Sequence, residues 1–471
     1  MIADLKPYPE YRESGLPWVG PVPDHWTLAP NRAMLRRRKV LVGKRHSDYK
    51  LLSLTKSGVI VRDISTGKGK FSADMGTSQE VRTGDLVFCL FDVPETPRTV
   101  GLSRHDGMIT GAYTVFECSD ALLASYLDSF YRAMDDRKLL SPLYSGLRNT
   151  IQPPRFLGTK TPMPPPDEQA AIVRFLNHTN QRIERTIRAK RKVIAPLNEQ
   201  KQVIIHRAVT RGLDPNVRLK PSGVPWLGEI PEGWAVTRLK FETSHIVDCL
   251  HATPRYSDDG EYPAVRTADI EPGKLRLAQI RRISAKQYIR WTSRLVPEAG
   301  DIMYSREGER FGIAALVPKD IHLCISQRMM LFRIKPSQNS AYLMWQLNCQ
   351  HVYTQASCDI IGSTAPHVNV ERIKNYLLAL PPLPEQEKIV GHINCETANL
   401  DGIISRTERE IDLLREYRTR LIADVVTGKL DVREVAALLP DSTDDTDGMD
   451  ELKLMDEECD DGREDDTATE E

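Results

Sequence analysis

The residues of this sequence that could do chemistry lie in loops that combine basic, amide and hydroxyl side chains. Arginine and lysine neutralise phosphates, and arginine, glutamine, serine and threonine can also form hydrogen bonds with base edges in the major groove of DNA. The pattern favours DNA binding, although a phosphate contact or a solvated charge is the alternative at each position. The candidate DNA-binding residues are Thr55, Lys56, Ser57, Arg98, Arg104, Arg266, Arg281, Ser305, Arg306, Arg310, Gln327 and Arg328.

Motifs for catalysis and for metal binding are missing from the sequence. A nucleotide-binding loop needs the spacing Gly-x-x-x-x-Gly-Lys-Ser/Thr, whereas Thr427–Lys429 is followed by Leu430. Gln152–Phe156 is a poor match to the motif of amino-methyltransferases, and no glycine-rich cofactor loop accompanies it. The eight cysteines are scattered singly, and the eleven histidines have no spacing suited to zinc. We therefore predict no catalytic residue, no metal site and no cofactor in this chain.

Two long segments that could position the basic loops are copies of one another. The first copy begins at Pro165–Gln169 and the second at Leu383–Gln386, and they match at a constant offset without insertions, so that Glu168 corresponds to Glu385. In each copy apolar residues recur every seven residues in two interleaved rows, the pattern of a left-handed coiled coil. The predicted helix–helix seam consists of Val173, Leu176, Ile183, Ile187, Ile194, Leu197, Ile204, Val390, Ile393, Leu400, Ile404, Ile411, Leu414 and Leu421.

The partner of each apolar stripe is open from the sequence alone. A helix of about 45 residues with a single stripe needs something to pack against, and the other copy is the obvious partner. The alternative is that each copy packs on its own domain as an ordinary surface helix. Pro196 lies inside the first copy, where a proline is expected to kink or split a helix.

A second repeated segment precedes each globular stretch. Ser14–Trp26 returns as Ser222–Trp234, again without insertions. Its prolines and glycines exclude a helix, and its paired tryptophans indicate an extended segment, here called the clasp, that is attached to a domain surface. Within the globular stretches Gly84-Asp85 also matches Gly300-Asp301.

The repeats predict an α+β fold in which two globular domains are joined by two long antiparallel coiled-coil helices, as a pseudo-twofold repeat. The predicted boundaries are 1–161 for the first clasp and domain, 162–213 for the first helix, 214–380 for the second clasp and domain, 381–431 for the second helix and 432–471 for an acidic tail.

Charge is distributed unevenly along the chain. Residues 441–471 contain 16 acidic residues against Lys453 and Arg463, so the rest has 62 basic and 49 acidic residues, a net charge of about +13. A basic body favours DNA, whereas the tail is expected to be disordered and to act as a solubilising appendage or as a shield for the basic surface. With single cysteines, no signal core and no membrane span, we expect a cytoplasmic protein.

The order of these motifs resembles the specificity (S) subunit of type I restriction-modification systems. The residues that carry the resemblance are Ser222–Trp234, Pro382–Gln386 with its twin Pro165–Gln169, Gly300–Arg306 and Gly362–Val368. Leu52–Ile60 and Gly84–Gly101 also resemble one subclass of the target recognition domains of this family. The sequence departs from the family pattern at Pro196 and at Pro166-Asp167, where Leu-Pro is more frequent.

The resemblance implies that each domain reads one half of a bipartite DNA site, and that the helices set the half-site spacing and dock two methyltransferase (M) subunits. An S subunit would have no active site, because S-adenosylmethionine binds the M subunits and ATP and Mg²⁺ serve the restriction (R) subunit. The complex would act as an adenine DNA methyltransferase and type I endonuclease. The alternatives are a stand-alone DNA methyltransferase or nuclease with fused recognition domains, and a coiled-coil adaptor that binds only proteins.

Overall fold

The computed structural model describes residues 5–62, 75–277, 280–308, 310–358 and 368–440. Helices and strands are mixed along the chain, which confirms the predicted α+β class. The chain divides into two compact units. Of these described residues, those in 5–190 and 408–440 belong to the first unit and those in 191–407 to the second. The first residues of the predicted tail, 432–440, are folded: they include a short helix, Arg433–Ala437, and Val432 and Leu439 are buried in the core of the first unit. Residues from 441 onwards and most of the Gly362–Val368 motif lie outside the described residues.

The elements of the first half end with a long helix. In chain order they are β1 (Tyr11–Glu13), β2 (Pro21–Pro23), β3 (Thr27–Pro30), β4 (Leu35–Arg38), β5 (Leu52–Thr55), β6 (Gly58–Val61), β7 (Gln79–Val81), β8 (Leu86–Phe88), β9 (Val100–Leu102), β10 (Gly107–Ile109), β11 (Thr114–Cys118), α1 (Ala121–Asp136), α2 (Pro153–Gly158), β12 (Lys160–Met163) and α3 (Pro166–Arg211).

The elements of the second half follow a similar plan. In chain order they are β13 (Leu219–Pro221), β14 (Glu229–Pro231), β15 (Ala235–Arg238), α4 (Leu239–Glu242), β16 (Thr243–Asp248), β17 (Tyr262–Val265), β18 (Ile270–Glu271), β19 (Lys274–Leu275), β20 (Arg282–Ile283), α5 (Ala285–Trp291), β21 (Ile302–Ser305), β22 (Ala314–Leu316), β23 (Cys324–Ile325), β24 (Met329–Ile334), α6 (Ser340–Leu347), α7 (Gln350–Cys358), α8 (Val370–Lys374), β25 (Leu377–Leu380), α9 (Leu383–Val426) and α10 (Arg433–Ala437).

Each globular domain is built on an antiparallel sheet of four strands. The strand order is β4-β11-β8-β9 in the first domain and β16-β24-β21-β22 in the second. One helix packs on each sheet, α1 against β9 and α6 against β22. In the first domain aromatic side chains fill the space beneath the sheet, with the Phe88 ring centroid 4.8 Å from that of Phe156 and 5.4 Å from that of Tyr131. The core therefore lies between sheet and helix in both copies.

The repeated Gly-Asp pair forms the turn that enters the third strand of each sheet. Gly84 and Gly300 have φ angles of +92° and +90°, which favour glycine because a side chain would be strained there. Asp85 and Asp301 are buried, and each accepts a hydrogen bond of 2.8 Å from the backbone N–H three residues earlier. The sequence match at this position therefore reflects a turn that both domains need.

The two long helices lie inside the predicted boundaries of 162–213 and 381–431. Proline is the first residue of α3 and the second residue of α9, where the missing N–H costs no hydrogen bond. Gly212 and Gly428 follow the helices at φ angles of +72° and +75°, which turn the chain out of the helical path. Of the two outcomes expected at Pro196, a split is excluded, because α3 continues through this residue. A proline removes one backbone hydrogen bond, and the hydrogen bonds of the adjacent turns continue the helix on both sides.

Within each unit the two long helices contact each other in antiparallel directions. In the first unit Glu184 pairs with Arg418, and Lys190, further along α3, pairs with Glu410, earlier in α9. In the second unit Lys201 Nζ lies 2.7 Å from Asp401 Oδ1. The other copy is therefore the partner of each stripe, as the coiled-coil interpretation required.

The seam residues differ in burial along the helices. Eight are less than a tenth exposed, namely Leu176, Ile183, Ile187, Ile393, Leu400, Ile404, Ile411 and Leu421. The other six are partly exposed, namely Val173, Ile194, Leu197, Ile204, Val390 and Leu414. At the helix ends a neighbouring residue is buried more fully, namely Ile172, Ile205 and Ile389. These neighbours belong to the cores of the globular domains, so each helix end packs on a domain as well as on the other helix.

None of the described helices combines the length and the apolar character that a membrane span needs.

Candidate nucleic-acid interface

In the first domain three of the candidate residues form the turn between β5 and β6. Thr55 Oγ1 accepts a hydrogen bond from the Ser57 backbone N–H at 3.2 Å and donates one to the Gly58 carbonyl at 3.1 Å. Gly58 has a φ angle of +115°, which lets the chain reverse direction. Thr55 therefore shapes the turn, and Lys56 is the exposed residue at its tip.

The Arg98 side chain stabilises this turn by connecting it to α1. Its Nη1 lies 2.7 Å from Asp136 Oδ1 and 3.4 Å from Asp135 Oδ2, and its Nε donates a hydrogen bond of 3.3 Å to the Lys56 carbonyl. Only 15% of the Arg98 side chain is exposed. The guanidinium thus joins the end of α1 to the hairpin, and a direct contact between Arg98 and a base would require both ion pairs to break.

Arg104 has a different environment. It follows β9 and is exposed, and within the described ranges its side chain makes no ion pair or hydrogen bond. A long cation of this kind can reach a phosphate or a base edge without first giving up a partner. Arg104 and Lys56 are therefore the candidates in the first domain that the structure leaves accessible.

In the second domain two of the candidate residues are buried and do not face solvent. Ser305 is fully buried at the end of β21. Arg306 is 6% exposed, with Nε 3.1 Å from Asp248 Oδ1 and Nη2 2.8 Å from Glu307 Oε1. β21 is an inner strand of the sheet, and the Arg306 guanidinium connects its end to Asp248 at the end of β16 instead of facing solvent.

Gln327 and Arg328 lie on the surface next to Arg306. The Arg328 carbonyl accepts the Arg306 backbone N–H at 3.1 Å, while 42% of the Arg328 side chain is exposed. Arg328 has a φ angle of +67°, an uncommon value for a residue with a side chain and one that is often found at functional sites. Gln327 Oε1 accepts a hydrogen bond of 2.8 Å from Thr253 Oγ1. This short connection between β23 and β24 therefore presents a cation and an amide together.

A tyrosine joins this connection to Arg281. The Arg281 guanidinium carbon lies 5.2 Å from the centroid of the Tyr256 ring, and the Tyr256 hydroxyl is 3.3 Å from Ser326 Oγ. Burial raises the pKa of Tyr256, so the phenol is neutral. Tyr256 thus connects Arg281 to Ser326, the residue that precedes Gln327 and Arg328, although Arg281 is far from them in the chain. We call Arg281, Gln327, Arg328 and Tyr256 the second-domain surface.

Arg266 and Arg310 belong to a neighbouring turn. Arg266 Nε and Nη2 each lie 3.0 Å from a carboxylate oxygen of Asp269, and Arg310 Nη1 donates a hydrogen bond of 3.1 Å to the Ile270 carbonyl. These contacts fix the 3₁₀ turn that leads into β18. Both arginines are partly exposed, so a phosphate contact is compatible with their position.

The repeated clasp is what fastens each domain to its following helix. Trp26 is buried, and its indole N–H donates a hydrogen bond of 2.8 Å to Glu168 Oε1 in the first turn of α3. In the second unit the Trp234 indole donates one of 3.0 Å to Glu385 Oε1 in the first turn of α9. The sequence identified both members of each pair but gave no sign that they touch.

A repeated tyrosine completes this junction in each unit. The Tyr126 hydroxyl donates a hydrogen bond of 2.9 Å to the Pro162 carbonyl and lies 3.4 Å from the Val426 carbonyl at the end of α9. In the second unit the Tyr342 hydroxyl reaches the Ala379 carbonyl at 2.9 Å and the Val209 carbonyl, near the end of α3, at 3.2 Å. One phenol therefore connects a domain to the strand before its own helix and to the end of the other helix.

A group of possible metal ligands was missed by the sequence analysis. His206, Cys349 and His351 lie together in the second unit, and their ligand atoms are all within 4.8 Å of one another. The only local signal in the sequence is Cys-x-His at 349–351, because His206 comes far earlier in the chain. The prediction of no metal-binding spacing was made from neighbouring residues and could not include a ligand from α3.

Comparison with known proteins identifies the kind of chain to which this one is similar. Residues 231–394 match the family described as the type I restriction modification DNA specificity domain. The chain is 23% identical, over 288 residues, to the type I restriction enzyme MjaVIII specificity subunit of Methanocaldococcus jannaschii, a match that covers 59% of this chain and 64% of that one. It is 20% identical to the EcoKI specificity subunit of Escherichia coli, with 88% and 90% of the two chains covered.

A solved structure shares the fold. It is a chain from a study titled as the structural basis of complex assembly and conformational transition of the type I R-M system. The two chains are 14% identical, the match covers 87% of this chain and 99% of that one, and the TM-score is 0.53. At this level of identity the likeness concerns the fold alone.

Proposed function

We propose that this chain, which belongs to the family of type I restriction-modification specificity subunits, is a non-catalytic subunit whose two domains each read one half of a bipartite DNA site. One observation carries the proposal. The same Trp–Glu pair and the same bridging tyrosine support both domains, while the accessible polar surfaces of the two domains are built from different elements. Two domains that are attached to the helices in the same way but expose different surfaces are suited to the same task on two different DNA sequences.

In the first domain the proposed contacts come from Lys56 at the β5–β6 turn and from Arg104 after β9. In the second domain they come from the second-domain surface, where Arg328 and Gln327 can form paired hydrogen bonds with guanine and adenine respectively. Lys56 suits a phosphate because a lysine acts as a point charge, and phosphate contacts position a protein without specifying sequence.

The long helices are proposed to set the distance between the half-sites and to dock two M subunits. A helix rises about 1.5 Å per residue, so one heptad corresponds to about 10 Å, or about three base pairs at about 3.4 Å each. The outer faces of the helices are polar and exposed, which leaves them available to partner subunits. R subunits would join the same assembly.

The chemistry is proposed to belong to the partner subunits. S-adenosylmethionine would bind the M subunits, and ATP and Mg²⁺ would serve the R subunit. An adenine must leave the base stack to reach a methyltransferase active site, and the pocket for the flipped base would lie on the M subunit. This chain would then contribute recognition and spacing alone.

The test is a binding experiment with the full chain and its M partner. The methylated adenines in a host that carries this chain would identify both half-sites and the gap. The complex should bind that sequence at least about 10³-fold more tightly than a scrambled duplex of the same length. Equal affinity for the two duplexes would contradict the proposal. Turnover by the isolated chain with S-adenosylmethionine or Mg²⁺ would instead support a stand-alone enzyme.

A further inference from the structure

We propose that His206, Cys349 and His351 form a binding site for one divalent transition-metal ion, with Zn²⁺ the best chemical match. The site lies within the second unit, where His206 is on α3 and the other two residues follow α6. The bound ion would fasten the end of the first long helix to the second globular domain. Metal binding is independent of the DNA-reading function proposed above.

The ligand set suits zinc. Two imidazoles and one thiolate are nitrogen and sulfur donors, which zinc prefers over the oxygen donors chosen by Mg²⁺ and Ca²⁺. Ligand atoms around a tetrahedral zinc lie about 3.5 Å apart, and those of this group lie within 4.8 Å of one another. Closure requires a movement of about 1 Å. His206 is the ligand free to make it, because Cys349 and His351 are each 2% exposed whereas His206 is at the surface.

A buried nitrogen without a hydrogen-bond partner is a second, independent indication that a ligand binds here. Nδ1 of His351 has no hydrogen-bond partner among the described residues, although the side chain is almost fully buried. A buried polar atom without a partner costs about 1–3 kcal/mol, and such atoms are rare in folded proteins. A metal ion at the centre of the group would satisfy this atom.

The surroundings of His351 prepare that nitrogen for coordination. His351 Nε2 lies 2.9 Å from Gln346 Oε1. The Gln346 amide nitrogen donates to the Tyr342 hydroxyl at 2.8 Å and to the Val209 carbonyl, so the amide oxygen must face the histidine. An oxygen can only accept, so Nε2 carries the proton and Nδ1 presents its lone pair. Metal-binding histidines are typically oriented by an acceptor on the other nitrogen in this way.

Metal binding at this site would be coupled to a proton. Cysteine coordinates a metal ion as the thiolate, so binding of a cation would release one proton from Cys349.

The first unit provides a natural comparison. When Glu168 is aligned with Glu385 and Tyr126 with Tyr342, the positions of the three ligands correspond to Ala423, Ala133 and Asp135. Both alanines are buried in the core of the first unit. Two buried alanines and the ion-paired Asp135 in one copy thus correspond to one cysteine and two histidines in the other. A general requirement of the fold would have placed similar residues in both copies.

The experiment is a metal titration of the full chain, purified without a histidine tag and stripped with a chelator. Co²⁺ serves as the spectroscopic probe, because thiolate coordination produces a charge-transfer absorption band, and Zn²⁺ is measured by competition. We expect one ion per chain, a cobalt–thiolate band, release of one proton and a higher melting temperature with Zn²⁺. Cys349→Ser should abolish the band, and His206→Gln should weaken Zn²⁺ binding at least about 10-fold.

Two variants on α9 are the matched controls, because Cys395 is exposed and His392 is exposed in the same unit. Cys395→Ser and His392→Gln should leave stoichiometry, band and affinity unchanged. His206→Gln changes a surface residue and keeps the test decisive even where Cys349→Ser impairs folding. Absence of a cobalt–thiolate band in the native chain, or a band that survives in Cys349→Ser, would overturn the proposal. Unchanged Zn²⁺ affinity in His206→Gln would also overturn it, and a buried water would then be the partner of His351.

Discussion

The two units attach their domains to the long helices with equivalent pairs, Trp26–Glu168 and Trp234–Glu385, but the first attachment is more elaborate. Glu168 also accepts hydrogen bonds from the Tyr8 hydroxyl and from His25 Nε2, the latter at 2.8 Å. When the two tryptophans are aligned, the second unit has Asn216 and Gly233 at those two positions, and among the described residues neither makes a hydrogen bond to Glu385. Glu385 is therefore held by one side-chain donor where Glu168 is held by three.

The connection of the chain explains this difference. The second clasp follows directly from α3, so the backbone itself holds it in place. The first clasp does not follow α9 in the chain, and its region meets the segment after α9 only through non-covalent contacts. The Lys6 carbonyl accepts the Asp431 backbone N–H at 2.8 Å, and the Arg433 guanidinium carbon lies 5.3 Å from the centroid of the Tyr8 ring. Extra hydrogen bonds offset the freedom that a missing covalent link would leave.

In the sheets a buried aspartate is paired with an arginine in both domains, but the arginine comes from a different strand in each. Asp85 is paired with Arg38 Nε at 3.0 Å, from edge strand β4. Asp301 is paired with Arg333 Nη2 at 2.8 Å, from inner strand β24. A buried carboxylate needs a cation, and its source can change strand as the sheet diverges. The Trp–Glu pairs are thus retained in both position and type, whereas the arginine partner of the buried aspartate is retained in type but not in position.

The largest effect on DNA binding is expected when the two long helices are shortened. Deleting seven residues from α3 and seven from α9 around the Lys190–Glu410 contact preserves the heptad register. We expect binding to the original site to fall to the non-specific level, and a gap shorter by about three base pairs to restore it. Affinity would be measured on duplexes that differ only in gap length. An unchanged preferred gap would show that the helices do not set the spacing.

The unequal attachment predicts unequal losses of stability. Glu168→Ala leaves three donors without their acceptor and should lower the free energy of unfolding by about 3 kcal/mol or more, whereas Glu385→Ala leaves one and should cost about 1–2 kcal/mol. Chemical denaturation followed by tryptophan fluorescence would measure both. Glu387→Ala, on the exposed face of α9, is the control and should stay within about 0.5 kcal/mol. Equal losses of unfolding free energy at Glu168 and Glu385 would contradict the explanation that the chain connection makes the two attachments unequal.

Two adjacent arginines of the second unit should behave differently. Arg328→Ala should weaken one half-site by about 1–3 kcal/mol, if the contact is bidentate, without changing the melting temperature. Arg306→Ala should lower the melting temperature, because Asp248 and Glu307 lose their shared cation. Binding to sites mutated in one half at a time would separate the effects. Equal loss at both half-sites in Arg328→Ala would contradict the division between domains.

The smallest effect is expected at the tip of the first hairpin. Lys56→Ala should weaken binding to all sequences alike and reduce the slope of log affinity against log salt by about 1, as expected for one lost phosphate contact. Lys192→Ala, which removes the same charge from the exposed face of α3, should leave the slope unchanged. A sequence-dependent loss in Lys56→Ala would assign this lysine to base reading instead.

The sequence by itself determined the architecture of this protein. A seven-residue period and two matching starting motifs are local signals, so they located α3 and α9 to within a few residues and indicated their pairing. The repeated tryptophans and Gly-Asp pairs located the clasps and the sheet turns for the same reason. These features depend on neighbours in the chain, and a pattern along the chain records them.

Only the tertiary structure decided which side chains are available. Arg306 and Arg328 look alike in the sequence, yet one is buried between two carboxylates and the other faces solvent. Arg98 is held by two aspartates at the far end of α1, and His206 on α3 reaches Cys349 in the second globular domain. Exposure and ligand geometry depend on residues that are brought together by folding, and no local spacing contains that information.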